Sequence, residues 1–536
     1  MSFIPVVFPT KPKKPKKKSV RELRAEKAAE AAKTATGGAA PTYYPPGTSA
    51  TGQPPSPTGR VVVDGDRRPV LDPDVLAAVV GPRERDLHPD PWIPARPETV
   101  EETGLTHEFL TELVLKHLYV RGAKSGHELA KTICLLFPLI ETAITDLRQR
   151  RLVEVTKSSG NNQAAYIYNL TNEGRIRTRE LLEGSRYVGP APIQLDEFKE
   201  AVMNQRLQSL DRRLTRAEIA EGFSDLVLSD EAMATLGPAI ASARSIFLHG
   251  YPGNGKTSIA ERVSRLMTIP MYIPYAVLVE GEVMLLYDPR YHERVDFGDE
   301  EGPDIPESVS PLLGPAPLTD QRYVCVERPS VFVGGELTMD ELDLQYDPYT
   351  KVYTAPFQLK AVGGALIIDD FGRQRMPPDE LLNRWIVPLE KQVDFLSSHS
   401  GVRFEVPFEC LLIFATNLDP SDLVDEAFLR RINYKIEVKD PDREAYEKIF
   451  KLVCSGLGVR YEPAAVEHIF NTYYGEKGIS PRGCHPRDIL NHLKAAAVYE
   501  GVSAELSPGA LDQACRSYFL IMESGKMSDP DIRSLA

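Results

Sequence analysis

The chain has 536 residues, 42% hydrophobic and 26% charged, which is ordinary for a globular protein and suggests two or three domains. A formal net charge of −13 excludes a molecule that binds nucleic acid through its whole surface. The charge is uneven: residues 1–60 hold eleven Lys/Arg against three Asp/Glu, a balance of +8, so the remainder carries −13 − 8 = −21.

Residues 1–60 open the chain with "KPKKPKKK", an Ala/Glu/Lys-rich stretch and a Pro/Gly/Ser/Thr run. So little apolar area cannot offset the entropy of ordering, so a disordered basic tail is expected. Residues 61–104 stay rich in Pro and Asp and read as linker; 1–104 together form tail and linker. The initial "FIPVVF" is too short for a signal peptide, and no apolar run approaches the ~18 residues that span a bilayer. Six cysteines, Cys134, Cys325, Cys410, Cys454, Cys484 and Cys515, have no paired spacing. That argues for a reducing compartment and against structural zinc, so a cytoplasmic protein is expected.

Residues 105–185 change character. "THEFLTELVLKHLYVRG", "SGHELAKTI" and "PLIETAITDLRQRRL" have helical apolar spacing. "VEVTK" and "AAYIYNLT" read as a hairpin around "SSGNNQ", and "TNEGRIRTRELLEG" as a closing helix capped by Thr171. This pattern, with "YNLTNEGR", resembles winged helix-turn-helix domains over about 80 residues. Residues 186–219 read as a connector with one helix. Residues 220–440 alternate apolar strands with helices, the signature of a parallel α/β sheet. Residues 441–525 look all-helical.

Within 220–440, "GYPGNGKT", Gly250 to Thr257, fits the phosphate-loop pattern G-x-x-x-x-G-K-T in full. "SIFLH" before it reads as a strand and "SIAERVSRLM" after it as a helix. Gly250, Pro252, Gly253, Asn254, Gly255, Lys256, Thr257 and Ser258 are therefore expected to hold ATP. Backbone N–H groups and a helix N-terminus cradle the phosphates, and Lys256 supplies a positive charge. The Thr257 hydroxyl suits Mg²⁺. In "VGGALIIDDFGRQ", Ala365 to Ile368 read as a strand buried on both faces. Asp369 and Asp370 then sit at its C-terminal end, where open α/β sheets keep their ligands.

Together these motifs resemble AAA+ ATPases. Residues 362–370 look like the Walker B strand, which implies Mg²⁺ held through Asp369 and water polarised by Asp370. Most relatives carry glutamate at the second position, one methylene longer, though replication-initiator ATPases also use two aspartates. "CLLIFATNLDP" resembles the sensor 1 strand and implies a polar role for Asn417 beside Thr416. "DEAFLRRINYKIEV" carries Arg430 and Arg431 where the family has its trans-acting arginine finger. "HPRDILNHL" carries Arg487 at the sensor 2 position, with Arg482 as the alternative. The likeness spans 220–525, with 441–525 as a helical lid. "DFLSSHSGVRFEVPF" reads as a hairpin before sensor 1, and "KAVGGALIIDD" approaches Walker B as in the pre-sensor-1-hairpin group, which includes MoxR-type chaperones. The "GAFTGA" loop of enhancer-binding activators is absent.

A long insert, 271–361, departs from the family pattern. It contains an acidic Pro-rich loop, 298–320, and Phe332-Val333-Gly334, which has the form of a pore loop or equally of a strand end. The resemblance implies a homo-oligomeric ring, expected as a hexamer, that spends ATP on remodelling or assembling a client protein complex. The alternative is a DNA-binding AAA+ ATPase that acts on a nucleoprotein or transcription complex. Glu141 and Asp146 in the proposed recognition helix weigh against phosphate contact.

Overall fold

The computed structural model describes residues 62–63, 69–70, 92–158, 162–206, 214–295, 319–420, 430–476 and 478–526. The basic tail, most of the acidic loop at 298–320, and residues 425–429 before the two arginines lie outside them.

Helix α1 (His107–Arg121) starts at Thr106, whose side chain accepts from Phe109 N at 3.1 Å. A short strand β1 (Lys124–Ser125) leads into α2 (Gly126–Ile133), which opens on a Ser125/Glu128 capping box. Helix α3 (Phe137–Gln149) precedes the antiparallel strands β2 (Val153–Lys157) and β3 (Ile167–Leu170), and β3 lies between β1 and β2. Helix α4 (Asn172–Gly184) is capped by Thr171, which accepts from Gly174 N at 3.0 Å. Leu113, Leu129, Ile140, Ile144 and Tyr168 fill the core between these elements.

The chain continues through β4 (Ile193–Gln194), α5 (Leu195–Gln205), α6 (Arg216–Gly222) and α7 (Asp230–Ala241). Then follow β5 (Ile246–His249), α8 (Lys256–Arg265), β6 (Met271–Pro274), β7 (Ala276–Val279) and β8 (Glu282–Leu285). Strands β9 (Tyr323–Val326), β10 (Ser330–Val333), β11 (Gln345–Asp347) and β12 (Val352–Thr354) precede a helical turn, α9 (Phe357–Lys360). Strand β13 (Ala365–Ile368), α10 (Pro378–Lys391), the hairpin β14 (Val393–Ser397) and β15 (Arg403–Pro407), then β16 (Leu411–Thr416) and β17 (Tyr434–Glu437) complete the set.

Five of these strands form one parallel sheet in the order β10-β13-β16-β5-β17. Its apolar runs do not alternate with polar residues because both faces are covered. Leu366, Ile368, Leu412 and Phe414 face α10 with Trp385, while Ala365, Ile367, Ile413 and Ala415 face α8 with Ile259 and Val263. Phe332 is on β10, the sheet's edge, paired with Ile367 and 40% exposed.

A second sheet, in the order β11-β12-β8-β7-β4, is built from the long insert plus one strand from the segment expected as a connector. Phe198 of α5 and Leu396, Phe404 and Val406 of the β14–β15 hairpin share its core. At the hairpin tip His399 stacks on Tyr346, with ring centroids 4.1 Å apart.

The N-terminal elements are joined to this second sheet. Ala276, Val283 and Val352 belong to the same buried cluster as Leu113 and Ile140. Arg322, 1% exposed, donates to Thr103 O at 2.9 Å, to Glu197 at 3.0 Å and to Asp320. A buried guanidinium needs such a full set of partners, because removing one leaves an uncompensated charge at a cost of about 3–5 kcal/mol. Arg186 also stacks over the Tyr349 ring at 3.9 Å.

The described residues of 443–526 hold α11 (Arg443–Leu457), α12 (Pro463–Ile469) running into a π-helical turn (Phe470–Glu476), α13 (His485–Glu500) and α14 (Pro508–Lys526). Tyr446, Phe450, Tyr473, Leu490 and Phe519 form their core. Among the described residues no helix is long and apolar enough to cross a membrane.

Candidate functional site

The loop between β5 and α8 turns on glycines. Gly253 and Gly255 both have φ 86°, a region other residues adopt only under strain. A Cβ on Gly253 would also lie 2.6 Å from Cys484 Sγ, so the loop and the C-terminal helices pack with no room to spare there.

Lys256 is 7% exposed and folds back into this loop, donating to Gly250 O and Tyr251 O, each at 2.8 Å. Burial is the main cause that brings its ammonium down to about 8; Asp369 and Asp370 oppose that shift and Arg482 adds to it. Asn254 and Ser258 are half-buried, while Pro252 and Gly253 are exposed at the loop's outer edge.

Thr257, on the first turn of α8, donates its hydroxyl to Asp369 Oδ2 at 2.8 Å. Strand β13 delivers that carboxylate, and its backbone is fixed by Asp369 N donating to Val333 O at 2.9 Å. Asp370 follows with φ 50° and donates its N–H to Asp369 Oδ1 at 3.0 Å. Asn417, just past β16, donates its carboxamide to Asp370 Oδ1 at 2.9 Å. Thr416 is fully buried and donates to Phe371 O at 2.7 Å, which locks the turn after the two aspartates to β16. Because β16 runs between β5 and β13, the loop, the aspartates and Asn417 gather at the carboxyl ends of adjacent strands.

The four arginines divide. Arg482 reaches the loop: it donates to Pro252 O at 3.3 Å, lies 4.5 Å over the Tyr251 ring and is 3.8 Å from Asp440. Arg487, one turn into α13, is 67% exposed and donates to Asp488 at 3.3 Å, with no described bond to the loop. Arg431 donates to Glu390 of α10 at 2.6 Å, and Arg430 beside it is exposed.

Two contacts had no local signal in the sequence. Gln374 donates to Asp369 O at 3.0 Å and accepts from Gly372 N at 2.7 Å, bracing the aspartate turn. Asn254 bonds Asp440 and Gly483, which follow it by 186 and 229 residues. Among the described residues no group of three or more His, Cys, Asp or Glu gathers as a metal site. Thr257 and Asp369 offer two hard oxygens, the donor type and number a phosphate-bound Mg²⁺ takes from protein.

A family model described as a domain of unknown function (DUF8689) matches residues 442–517. No curated protein matches the chain. Among solved structures, NtrX from Brucella abortus in complex with ADP is 16% identical at a TM-score of 0.31, over 52% of this chain and 53% of that one. The chain thus spans about half the length of that structure. A RuvB variant from Thermotoga maritima is 14% identical at a TM-score of 0.30, over 54% of this chain and 67% of that one. The structure described as the Thermotoga maritima RuvB Holliday junction branch migration motor is 14% identical at a TM-score of 0.29, over 58% of this chain and 72% of that one.

Proposed function

We propose that this chain is a cytoplasmic AAA+ ATPase that works as a hexameric ring and couples ATP hydrolysis to remodelling or assembly of a client protein complex. The observation that carries the reading is the meeting of Thr257 and Asp369 at 2.8 Å. It joins a complete phosphate loop to a carboxylate at the end of a buried parallel strand.

In this reading the loop amides and Lys256 bind the β- and γ-phosphates. Thr257 and Asp369 would hold Mg²⁺, which supplies charge neutralisation at the phosphate oxygens when bound. Asp370 polarises the attacking water, and Asn417 fixes the direction of its carboxylate. Arg482, rather than Arg487, is the lid arginine that stabilises phosphate charge. Arg430 and Arg431 are the candidates to reach a neighbouring subunit's nucleotide. The β14–β15 hairpin directly before β16 supports the pre-sensor-1-hairpin, MoxR-like branch. The three helices, hairpin and fourth helix of residues 107–184 support a winged-helix module.

Phosphate release by the purified chain tests this. Wild-type should hydrolyse ATP in the presence of Mg²⁺, Lys256→Ala should lose nucleotide binding, and Asp370→Asn should bind without hydrolysing. A wild-type chain that neither binds nor hydrolyses ATP sinks the reading.

One observation favours the nucleoprotein alternative. Asp146, expected to repel phosphates, accepts from Arg150 Nε at 3.0 Å and lies 3.5 Å from His107. Its charge is compensated within the module, which weakens the electrostatic case against DNA.

A further inference from the structure

Asn254 stands in the phosphate loop at a position the motif leaves open, and both ends of its carboxamide are engaged. Its Nδ2 donates to Asp440 Oδ1 at 2.7 Å, and its Oδ1 accepts from Gly483 N at 3.0 Å. Asp440 lies between β17 and α11, where the chain leaves the central sheet for the C-terminal helices. Gly483 lies in the turn before α13, next to Arg482. One side chain thus ties the loop to both ends of the path that carries Arg482.

The neighbouring contacts share this geometry. Asp440 is also 3.8 Å from Arg482, and Cys484 packs against Gly253. Arg482 itself is held at the loop by a carbonyl at 3.3 Å and the Tyr251 ring at 4.5 Å. Neither of these is an anion, and the Asp440 carboxylate, at 3.8 Å, is too far for the bidentate pairing that would fix a guanidinium by itself. Arg482 is therefore kept at the mouth of the loop by a frame, and Asn254 is the part of that frame that belongs to the loop.

We propose that Asn254 is a positioning residue for ATP hydrolysis: its carboxamide holds the lid, and through it Arg482, in register with the phosphate loop. This rests on the ATPase reading above. Backbone amides and Lys256 bind the phosphates whether or not the tie is intact. Without it Arg482 spends less time where phosphate charge develops. The tie should therefore be felt in turnover more than in nucleotide affinity.

The test uses the full chain with ADP and ATP as ligands. Hydrogen exchange of the peptide covering 478–486 reads the Gly483 bond directly, with no need for activity. Asn254→Ala should speed exchange at Gly483, lower kcat about tenfold and change the Kd for ADP by less than about threefold. A cycle with Asp440→Ala gives the coupling. Both substitutions break the Asn254–Asp440 bond, while each also removes one contact of its own, Gly483 for Asn254 and Arg482 for Asp440, so the double variant should lose clearly less than the product of the two single losses. Unchanged exchange at Gly483, an unchanged kcat in Asn254→Ala, or fully multiplicative losses in the cycle would each overturn the proposal. A wild-type chain that hydrolyses ATP yet is indifferent to Asn254→Ala overturns the tie alone. A wild-type chain indistinguishable from Lys256→Ala in ADP binding overturns the ATPase reading and the positioning role with it.

Discussion

Asn417 Nδ2 lies 2.9 Å from Asp370 Oδ1, although 47 residues of chain separate them. Strands β13 and β16 are hydrogen-bonded neighbours, so this contact is set by the sheet and not by a flexible loop. Asp370 holds φ 50°, which aspartate and asparagine tolerate better than other side chains. Asp370→Asn should therefore fold normally. It should bind ATP and hydrolyse it at least ~100-fold more slowly, the usual loss when a general base is removed. Asn417→Ala should cost about tenfold, because the carboxylate remains but loses its orienting partner. Steady-state phosphate release checks both, and an Asp370→Asn rate close to wild-type would mean another group polarises the water.

What the sequence revealed about this site follows the range of the interactions. The loop Gly250–Thr257 and the run Ala365–Asp370 are local patterns whose chemistry is written in consecutive residues, and Thr257 and Asp369 do meet. The division between Arg482 and Arg487 was not legible, because it depends on how the turn before α13 docks on a loop 230 residues earlier in the chain. The Asn254–Asp440 bond was hidden because it, too, is long-range. The second sheet is not legible in the sequence because its pairing is long-range: β4 at residue 193 pairs with β7 at residue 277. No local period encodes a partner that far away.

Arg482 and Arg487 give a clean comparison of two arginines in one short stretch. Arg482 is the one bonded at Pro252 O, and Arg487 is bonded to Asp488 in solvent. Arg482→Ala is expected to lower kcat at least tenfold with a smaller effect on ADP binding. Arg487→Ala should stay within about twofold of wild-type, as exposed ion pairs contribute little. Parallel kinetics of the two variants decide it; the reverse ranking would return the sensor role to Arg487.

A trans-acting arginine predicts complementation between two dead variants. Arg431 is bonded to Glu390 of its own chain at 2.6 Å, whereas Arg430 is exposed beside it. Of the two, at least one, with Arg430 tested first, should lose ATPase on replacement by Ala while still binding nucleotide. Mixing that variant with Lys256→Ala subunits should restore part of the activity, because some interfaces then pair an intact loop with an intact arginine. Co-assembly without any recovery, at every mixing ratio, would argue that Arg430 does not act across an interface.

The C-terminal helices should be sensitive to acid through His485. Its Nδ1 accepts from Arg482 N at 3.2 Å and lies 2.9 Å from Tyr474 Oη, and the ring is 1% exposed. Burial, reinforced by Arg482, brings the imidazole from 6.5 down to about 4. The unfolded chain then binds a proton that the folded chain refuses between these two values. Stability from this group is thus fully present above pH 6.5 and is lost as the pH falls toward 4. The loss by pH 4.5 is about 2–3 kcal/mol at 1.36 kcal/mol per pH unit. Urea unfolding at pH 7 and pH 4.5 measures it, and His485→Gln should flatten the difference by about that amount. Equal pH dependence in the two proteins would mean that His485 is protonated in the fold.

The last prediction separates a protein client from DNA. The N-terminal module shares buried residues with the second sheet and is pinned by Arg322, so the test keeps it attached. The charge of the lysine run at 11–18 would attract any polyanion and mimic a phosphate-tracking domain, so the comparison uses a chain starting at residue 61. Arg148, Arg151 and Arg175 are exposed on α3, at its end and on α4, while Arg150 is engaged by Asp146. Three phosphate contacts would give a log–log salt slope of about −3, at roughly −0.9 per contact. The rest of the molecule is strongly acidic and works against that attraction. Binding to duplex DNA should then stay at the non-specific level of roughly 10⁻⁴–10⁻⁶ M near physiological salt. Duplex DNA should also leave the ATPase rate of the full chain unchanged. Arg151→Ala should reduce the slope by about one unit if Arg151 meets a phosphate, and leave it alone otherwise. Submicromolar binding by the chain starting at residue 61, together with hydrolysis stimulated by duplex DNA, would replace the protein-remodelling reading with the nucleoprotein one.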